Sequence, residues 1–368
     1  LVVIVIHEVT LEEILPKDPD CDPDHPKKIT FAEISSAAFN VKDGVIRTPC
    51  AKSPNLSKML GMELYFKKEY LQVTGSFKER GARNALMQLS PEEKKVGVIA
   101  ASAGNHALAL CYHGQQLNIP VTVVMPVFAP LMKIGMKSRP GSLLPWSTAE
   151  HSGNHALALC YHGQQLNIPV TVVMPVFAPL MKIGMCRSFG ATIILKGDDI
   201  GMAKDHAMRL VKEKKYKYIN GYDHPNILAG AGTIGLEILE QVPDVDAILI
   251  PVGGAGLIAG IAVAVKKLKP QVEIIGVESD TCPSFQAALK AGKPVKVNIR
   301  STLADGLAVP CVGVNALYTV QGLFDRHVVI SEEETALSIL RLAVVEGGGA
   351  VGLAALMTGK LPGLEGKK

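Results

Sequence analysis

The sequence predicts an α/β fold of two domains, with parallel-type sheets flanked by helices. Three observations carry that prediction. Short apolar runs alternate with amphipathic stretches along most of the chain, the pattern of strand–helix–strand units. One such run, Ala247 to Ile250, passes through a glycine-rich turn directly into an apolar helical pattern. The 368 residues, 48% of them hydrophobic, can fill two cores of ordinary size.

Taken in order, Pro16 to Lys28 is rich in Pro and Asp and reads as a loose lead-in, so 1–28 stands apart. The candidate strands are Glu63 to Lys67, Val96 to Ala101, Val121 to Met125, Thr192 to Leu195, Ala247 to Ile250 and Glu273 to Val277, each followed by a helical pattern. A large domain is expected from 29–95 with 223–368, and a small one from 96–222. A ligand is expected in the cleft between them.

Net charge is +4 with the basic residues scattered, which argues against a nucleic-acid partner. The dense stretch Lys212 to Lys217 includes Glu213 and Tyr216 and reads as the solvated end of a helix. The 7 cysteines form no C-x-x-C pair, so neither a zinc cage nor a disulfide framework is expected, and the compartment is read as reducing, the cytoplasm. Ala247 to Val265 carries no charge and is long enough for a bilayer. Pro251, Gly253, Gly254 and Gly256 break it, which makes it a buried strand, a turn and a buried helix rather than a membrane span. The opening Leu1 to Ile6 is too short to span, and a start at Leu leaves a longer leader open.

The chain repeats itself. Gly104 to Met136 recurs letter for letter as Gly153 to Met185, 49 residues further on. Solenoid repeats diverge at their surfaces and these copies do not, so a recent duplication is the better reading. The first copy follows a good strand, VGVIAA. The second follows RPGSLLPWSTAEH, which has no period, but runs on into the strand pattern of CRSFGATIIL. Residues 137–185 therefore read as inserted.

Three motifs can carry chemistry. In Val73 to Arg80, VTGSFKER, Gly75 allows a tight backbone, Ser76 can cap a helix, and Lys78 lies in its first turn. Alone, Lys78 reads as a solvated surface lysine ahead of an amine whose pKa the helix start lowers. Ala101 to Ala107, ASAGNHA, lies between strand and helix and offers Ser102, Asn105 and His106 with free N–H groups around Gly104. These suit a carboxylate and a polar ring oxygen, or an ordinary helix cap. Pro251 to Gly260, PVGGAGLIAG, is a strand, a Gly-rich loop and a helix that would cradle a phosphate. It also approaches a dinucleotide-binding turn, with Glu278 near the spacing of the ribose acid but the third Gly one place late. His113 and His162 read as structural, His155 repeats His106, and no H-x-x-H spacing predicts a metal.

The order VTGSFKERGA, ASAGNH, AGAGTIGLEI, PVGGAGLIAG, ADGLAV resembles the serine/threonine dehydratases and serine racemases among the fold-type II pyridoxal-phosphate enzymes, whose fold is that of the tryptophan synthase β subunit. The resemblance covers Ile29 to the end apart from 137–185. It implies pyridoxal 5'-phosphate as cofactor, Lys78 as the lysine that holds it and later takes the substrate α-proton, and Phe77 packed by its ring. Asn105 is implied to bond its phenolic oxygen, and Gly253, Gly254, Ala255, Gly256 and Leu257 to hold its phosphate. Ala255 departs from the family's glycine. Ser102 and the loop after it would clamp the substrate carboxylate, and Thr74 to Lys78 with Ala229 to Thr233 would line the pocket, Ala231 standing where relatives carry Gln. The implied reaction is deamination of L-threonine or L-serine to a 2-oxo acid and ammonia by an enzyme active as a dimer or tetramer. Racemases of the family carry a serine where Ala103 stands, and alanine returns no proton, which favours elimination. Ser152 before the second copy would suit a racemase instead. A relative that only binds is the third reading. Two further departures are expected: Leu364 to Lys368 stand where the strand contacting the pyridine nitrogen should begin, and Ser284 replaces the second acid of the relatives' cation site beside Glu278, so no metal is predicted and Glu278 is read as a structural strand-end carboxylate.

Overall fold

A computed structural model of the chain describes residues 17–102, 105–124, 171–173, 192–193, 200–342 and 344–368. In chain order the elements are α1 (Phe31–Val41), β1 (Cys50–Lys52), α2 (Pro54–Leu60), β2 (Tyr65–Lys67), α3 (Lys78–Met87), α4 (Pro91–Val96), β3 (Val98–Ala101), α5 (Asn105–Gln116), β4 (Val121–Val124), β5 (Thr171–Val173) and β6 (Thr192–Ile193). There follow α6 (Ile200–Lys214), β7 (Lys217–Tyr218), α7 (Pro225–Gln241), β8 (Ala247–Pro251), α8 (Gly256–Leu268), β9 (Glu273–Ser279), α9 (Ser284–Ala291), α10 (Val314–Val320), β10 (Arg326–Ile330), α11 (Glu332–Leu342) and α12 (Gly347–Met357). The chain divides into two compact units. One takes Leu1–Pro19, Pro91–Ala103 and Pro120–Tyr218, and the other takes Asp20–Ser90, Gly104–Ile119 and Ile219–Lys368.

The first unit is organised by a five-stranded sheet in the order β6-β5-β4-β3-β7, with every pair parallel. Its β3 is apolar on both faces, with Val98, Ile99 and Ala100 all buried. That is the signature of a parallel strand covered on two sides. Ile99, Val124 and Tyr218 pack against Ala207 and Met208 of α6. The dense basic stretch ends α6, and Lys212, Glu213, Lys214 and Lys215 are exposed as expected. Both copies of the repeat contribute a strand. Thr122 pairs with Thr171, Val123 with Val172 and Val124 with Val173, so each residue of β4 lies beside its own counterpart on β5.

The second unit holds a three-stranded parallel sheet in the order β10-β9-β8. Alternate residues of β8 point to opposite faces, as a strand requires. Ile248 and Ile250 join a core with α1, α7 and α8. Ala247 and Leu249 face a second core built on Val351, Ala354 and Ala355 of α12. The apolar run through Ala247 to Val265 is thus the buried strand and helix that its glycines predict. No single helix among the described residues is long and apolar enough to cross a membrane. One difference from the sequence reading is β2. It pairs antiparallel with β1 in a two-stranded ribbon rather than entering a parallel sheet. Its partner, Cys-Ala-Lys, has no apolar run that would mark a strand.

Candidate active site

Lys78 is the first residue of α3. Gly75 turns the chain into it with φ +75°, a left-handed conformation that costs a glycine nothing. The buried Ser76 Oγ accepts from the Lys78 backbone N–H at 3.2 Å. The Lys78 Nζ donates to the Gly221 carbonyl at 2.6 Å and lies 5.1 Å from the centre of the Phe77 ring. Burial pushes its pKa down to about 8, against an opposing pull from the Glu346 carboxylate. A buried lysine that gives up its proton more readily than a solvated one is better suited to act as a nucleophile and a base than as a surface cation.

Its neighbour Glu79 is fully buried. One oxygen accepts from the Thr74 N–H, closing the loop that precedes the lysine. The other lies 3.6 Å from Nε2 of the equally buried His113 on α5. This pair joins α3 to α5, and so Lys78 to Asn105, the first residue of α5. The Asn105 Nδ2 donates to Glu346 at 3.2 Å. His106 is buried, its Nε2 3.2 Å from the Ile219 carbonyl. Burial, and then the Lys78 charge, push its pKa down to about 3. It is a neutral packing histidine, and only Asn105 of the two motif side chains stands ready to contact a ligand.

The glycine loop leads from β8 into α8. Ala255 takes φ +68° at the N-cap of α8, where the family's glycine would be unstrained. A Cβ on Gly254 would collide with the Tyr222 ring, and one on Gly256 with the Tyr222 carbonyl. The loop is therefore glycine because its backbone packs directly on the ring and carbonyl of Tyr222. The first N–H groups of α8 have no carbonyl of their own helix to bond, and with the helix dipole they form an anion site. These residues fit a phosphate monoester, and the buried amine of Lys78 fits an aldehyde. Leu257 and Phe77 sit at the rim of the adjoining core.

The segment Gly221–Tyr222, absent from the sequence reading, ties these parts together. Gly221 receives the Lys78 amine and packs so closely on the His106 ring that a side chain there would displace it. Tyr222 backs the glycine loop. The Asn220 side chain sets this turn by accepting from the N–H groups of Tyr222 and Asp223. The only sequence signal was the Asn-Gly dipeptide, a turn marker. Ala229 to Thr233 serves helix packing. Gly230 lies against the Arg80 carbonyl and Gly232 against that of Gly260, and Ala229, Ala231 and Thr233 are buried. Glu278 is structural: its two oxygens accept from the N–H groups of Phe285 and Gln286 at 3.0 and 2.8 Å, and His327 Nε2 lies 2.9 Å away. Ser102 follows β3 in the first unit, its N–H donating to the Val124 carbonyl. Ala103, Gly104 and the second-copy loop from Ser152 to His155 lie outside the described residues.

The model of the family described as pyridoxal-phosphate dependent enzyme matches residues 41–142 and 146–368. The break falls between the two copies of the repeat. The L-threonine ammonia-lyase of Thermotoga maritima is 39% identical over 334 residues, which are 89% of this chain and 71% of that protein. The L-threonine ammonia-lyase of Geobacter sulfurreducens is 37% identical over 92% of this chain and 73% of its own length. Among solved structures, the processed form of threonine deaminase isoform 2 from Solanum lycopersicum superposes with a TM-score of 0.73 at 30% identity, over 96% of this chain and 93% of that one. Serine racemase from Dictyostelium discoideum gives 0.70 at 27% identity, over 89% and 92%.

Proposed function

This chain belongs to the family of pyridoxal-phosphate dependent enzymes, and from that premise we propose that it is an ammonia-lyase that deaminates L-threonine and L-serine by α,β-elimination, giving 2-oxobutanoate or pyruvate and ammonia. The observation that carries the reading is the buried Lys78 amine at the start of α3, with its pKa pushed down to about 8. Its support from relatives is the two ammonia-lyases and the threonine deaminase.

Pyridoxal phosphate, when bound, supplies a ring that takes up the electron pair left at the substrate Cα. The chain's residues do the rest. The N–H groups of Gly253, Gly254, Ala255, Gly256 and Leu257 would hold the phosphate, with the α8 dipole behind them. Asn105 would offer an Nδ2–H to the phenolic oxygen, and Phe77 would border the ring. Lys78 would hold the carbonyl carbon until substrate displaces it. Its Nζ then takes the α-proton, a base whose pKa lies near the working pH. We assign Ser102 to the substrate carboxylate. Ala103 has no proton to return to the opposite face of Cα, which favours loss of the β-hydroxyl over racemisation. No disulfide joins Cys21, Cys50, Cys282 or Cys311, which suits a reducing, cytoplasmic setting, and a homo-oligomer is the working assembly we propose.

The test is to load the protein with pyridoxal phosphate and follow 2-oxo acid and ammonia from L-threonine and L-serine beside D-serine formation. Stoichiometric 2-oxo acid and ammonia, lost in Lys78→Ala, is the expected result. D-serine as the main product would replace this reading by the racemase.

A further inference from the structure

We infer that Glu346 is a positioning residue of this site: its carboxylate fixes which end of the Asn105 amide is presented to the cofactor. The inference rests on the reading above, in which Lys78 and Asn105 hold the cofactor.

Glu346 stands at the N-cap of α12, yet its side chain makes no capping hydrogen bond to that helix. Its oxygens instead take the Asn105 Nδ2, at 3.2 Å to Oε1 and 3.5 Å to Oε2. An ionised carboxylate only accepts, so the amide nitrogen and not the amide oxygen must face it. Turning the amide over would set oxygen against oxygen with no proton between them. The Asn105 nitrogen carries two hydrogens. One is spent on Glu346, and the other remains for a second acceptor, which is what a phenolate oxygen requires. Without Glu346 the amide could present its carbonyl to that oxygen and repel it.

The carboxylate is itself held. The start of the eleven-residue α12 favours an anion through its dipole. The backbone at Gly347 lies so tightly on the Leu303 carbonyl that no side chain fits there. Gly306 stands on another side, with Glu346 Oε1 3.6 Å from where a Cβ would be. The charge also bears on Lys78, whose amine it draws towards the protonated form against the effect of burial. One carboxylate thus acts on both residues assigned to the cofactor without being assigned a place on it.

The experiment is a double-mutant cycle on the full chain, with pyridoxal phosphate binding followed by equilibrium dialysis and by the visible band that Lys78→Ala should abolish. Glu346→Ala and Asn105→Ala should each weaken binding roughly tenfold or more, the scale of a hydrogen bond to a charged group, and the double variant should lose less than the two single losses combined. Glu346→Gln keeps an acceptor oxygen and should retain most of the binding. In the cofactor-free protein, the pH midpoint for acylation of Lys78 should move down in both Glu346→Gln and Glu346→Ala, because a neighbouring negative charge has gone. Additive losses in the cycle, binding by Glu346→Ala equal to the parent, or an unmoved midpoint in both variants would overturn the inference while the Lys78-dependent band stands. A band that survives Lys78→Ala would overturn the underlying reading and this inference with it.

Discussion

Lys78 and Arg80 are cations two residues apart on α3, and their surroundings could hardly differ more. Arg80 is fully buried and saturated with carboxylate. Its guanidinium reaches Glu69 through Nε and Nη2, both at 2.8 Å, and Glu237 through Nη1 at 2.6 Å and Nη2 at 3.0 Å. Lys67 shares Glu237 at 2.5 Å. Burial would discharge the guanidinium, but these two acids more than reverse that and hold its pKa above the ordinary range. Among the described residues, Lys78 has a carbonyl within hydrogen-bond reach and one carboxylate acting across space. Two bidentate acids make a cation permanent and structural. A lone carbonyl in a poorly solvated place leaves an amine that can lose its proton and react.

The contrast can be broken at either end. Removing the amine should have the largest effect: Lys78→Ala should lower 2-oxo acid formation on the order of 10³-fold or more, on the scale of a lost catalytic base, while thermal unfolding of the cofactor-free protein stays near the parent's. Arg80→Met should do the reverse. It leaves two acids facing each other and should cost about 3–5 kcal/mol of stability in a denaturant titration. Glu237→Gln removes one acid while keeping its shape, so a smaller loss is expected, together with a fall in the Arg80 network's resistance to acid. Burial alone would raise the Glu237 pKa, but Arg80 and Lys67 lower it. Its contribution is therefore present above the ordinary carboxylate range and is lost as pH falls through the lowered value. Glu237→Gln should flatten that acid limb.

The pH behaviour of Lys78 has the same sense in a different, alkaline window. Its folded pKa lies below the free value of 10.5, so between about 8 and that value the unfolded chain binds the extra proton. Stability from this group therefore rises as pH climbs through that window. Acylation of Lys78 should rise through pH 8, and the parent should gain stability there relative to Lys78→Met. The smallest change concerns the glycine loop. Ala255→Gly relieves a left-handed alanine, worth about 1–2 kcal/mol, and loses one buried methyl, worth about 0.8 kcal/mol. A net gain of about 1 kcal/mol or less is expected in thermal melts, with phosphate binding retained.

Much of this site was legible in the residues because its anchors are local. Lys78, Asn105 and the 253–257 loop each sit at a helix start announced by glycine, serine or asparagine next to an apolar run. What could not be read were partners brought together across the chain. Glu346 lies 241 positions from Asn105 and looks like any acid before a helix. Glu79 and His113 announce nothing until α3 and α5 pack. Ala229 to Thr233 is expected as a pocket wall from the family resemblance alone, and its glycines let α7 approach α3 and α8. β1 escaped because three residues bearing a lysine have no period to detect.

The pairing of β4 with β5 has a consequence for the history of the chain. Because the two strands match residue for residue, a step from one to the next reproduces the same neighbourhood, and the sheet carries no internal record of how many steps it contains. Excising residues 137–185 would leave Thr122 and Val123 to meet Thr192 and Ile193 as Thr171 and Val172 now do. Selection acting through strand pairing is therefore blind to copy number. As far as the pairing of this sheet is concerned, such a duplication can persist, and one of its copies is free to drift.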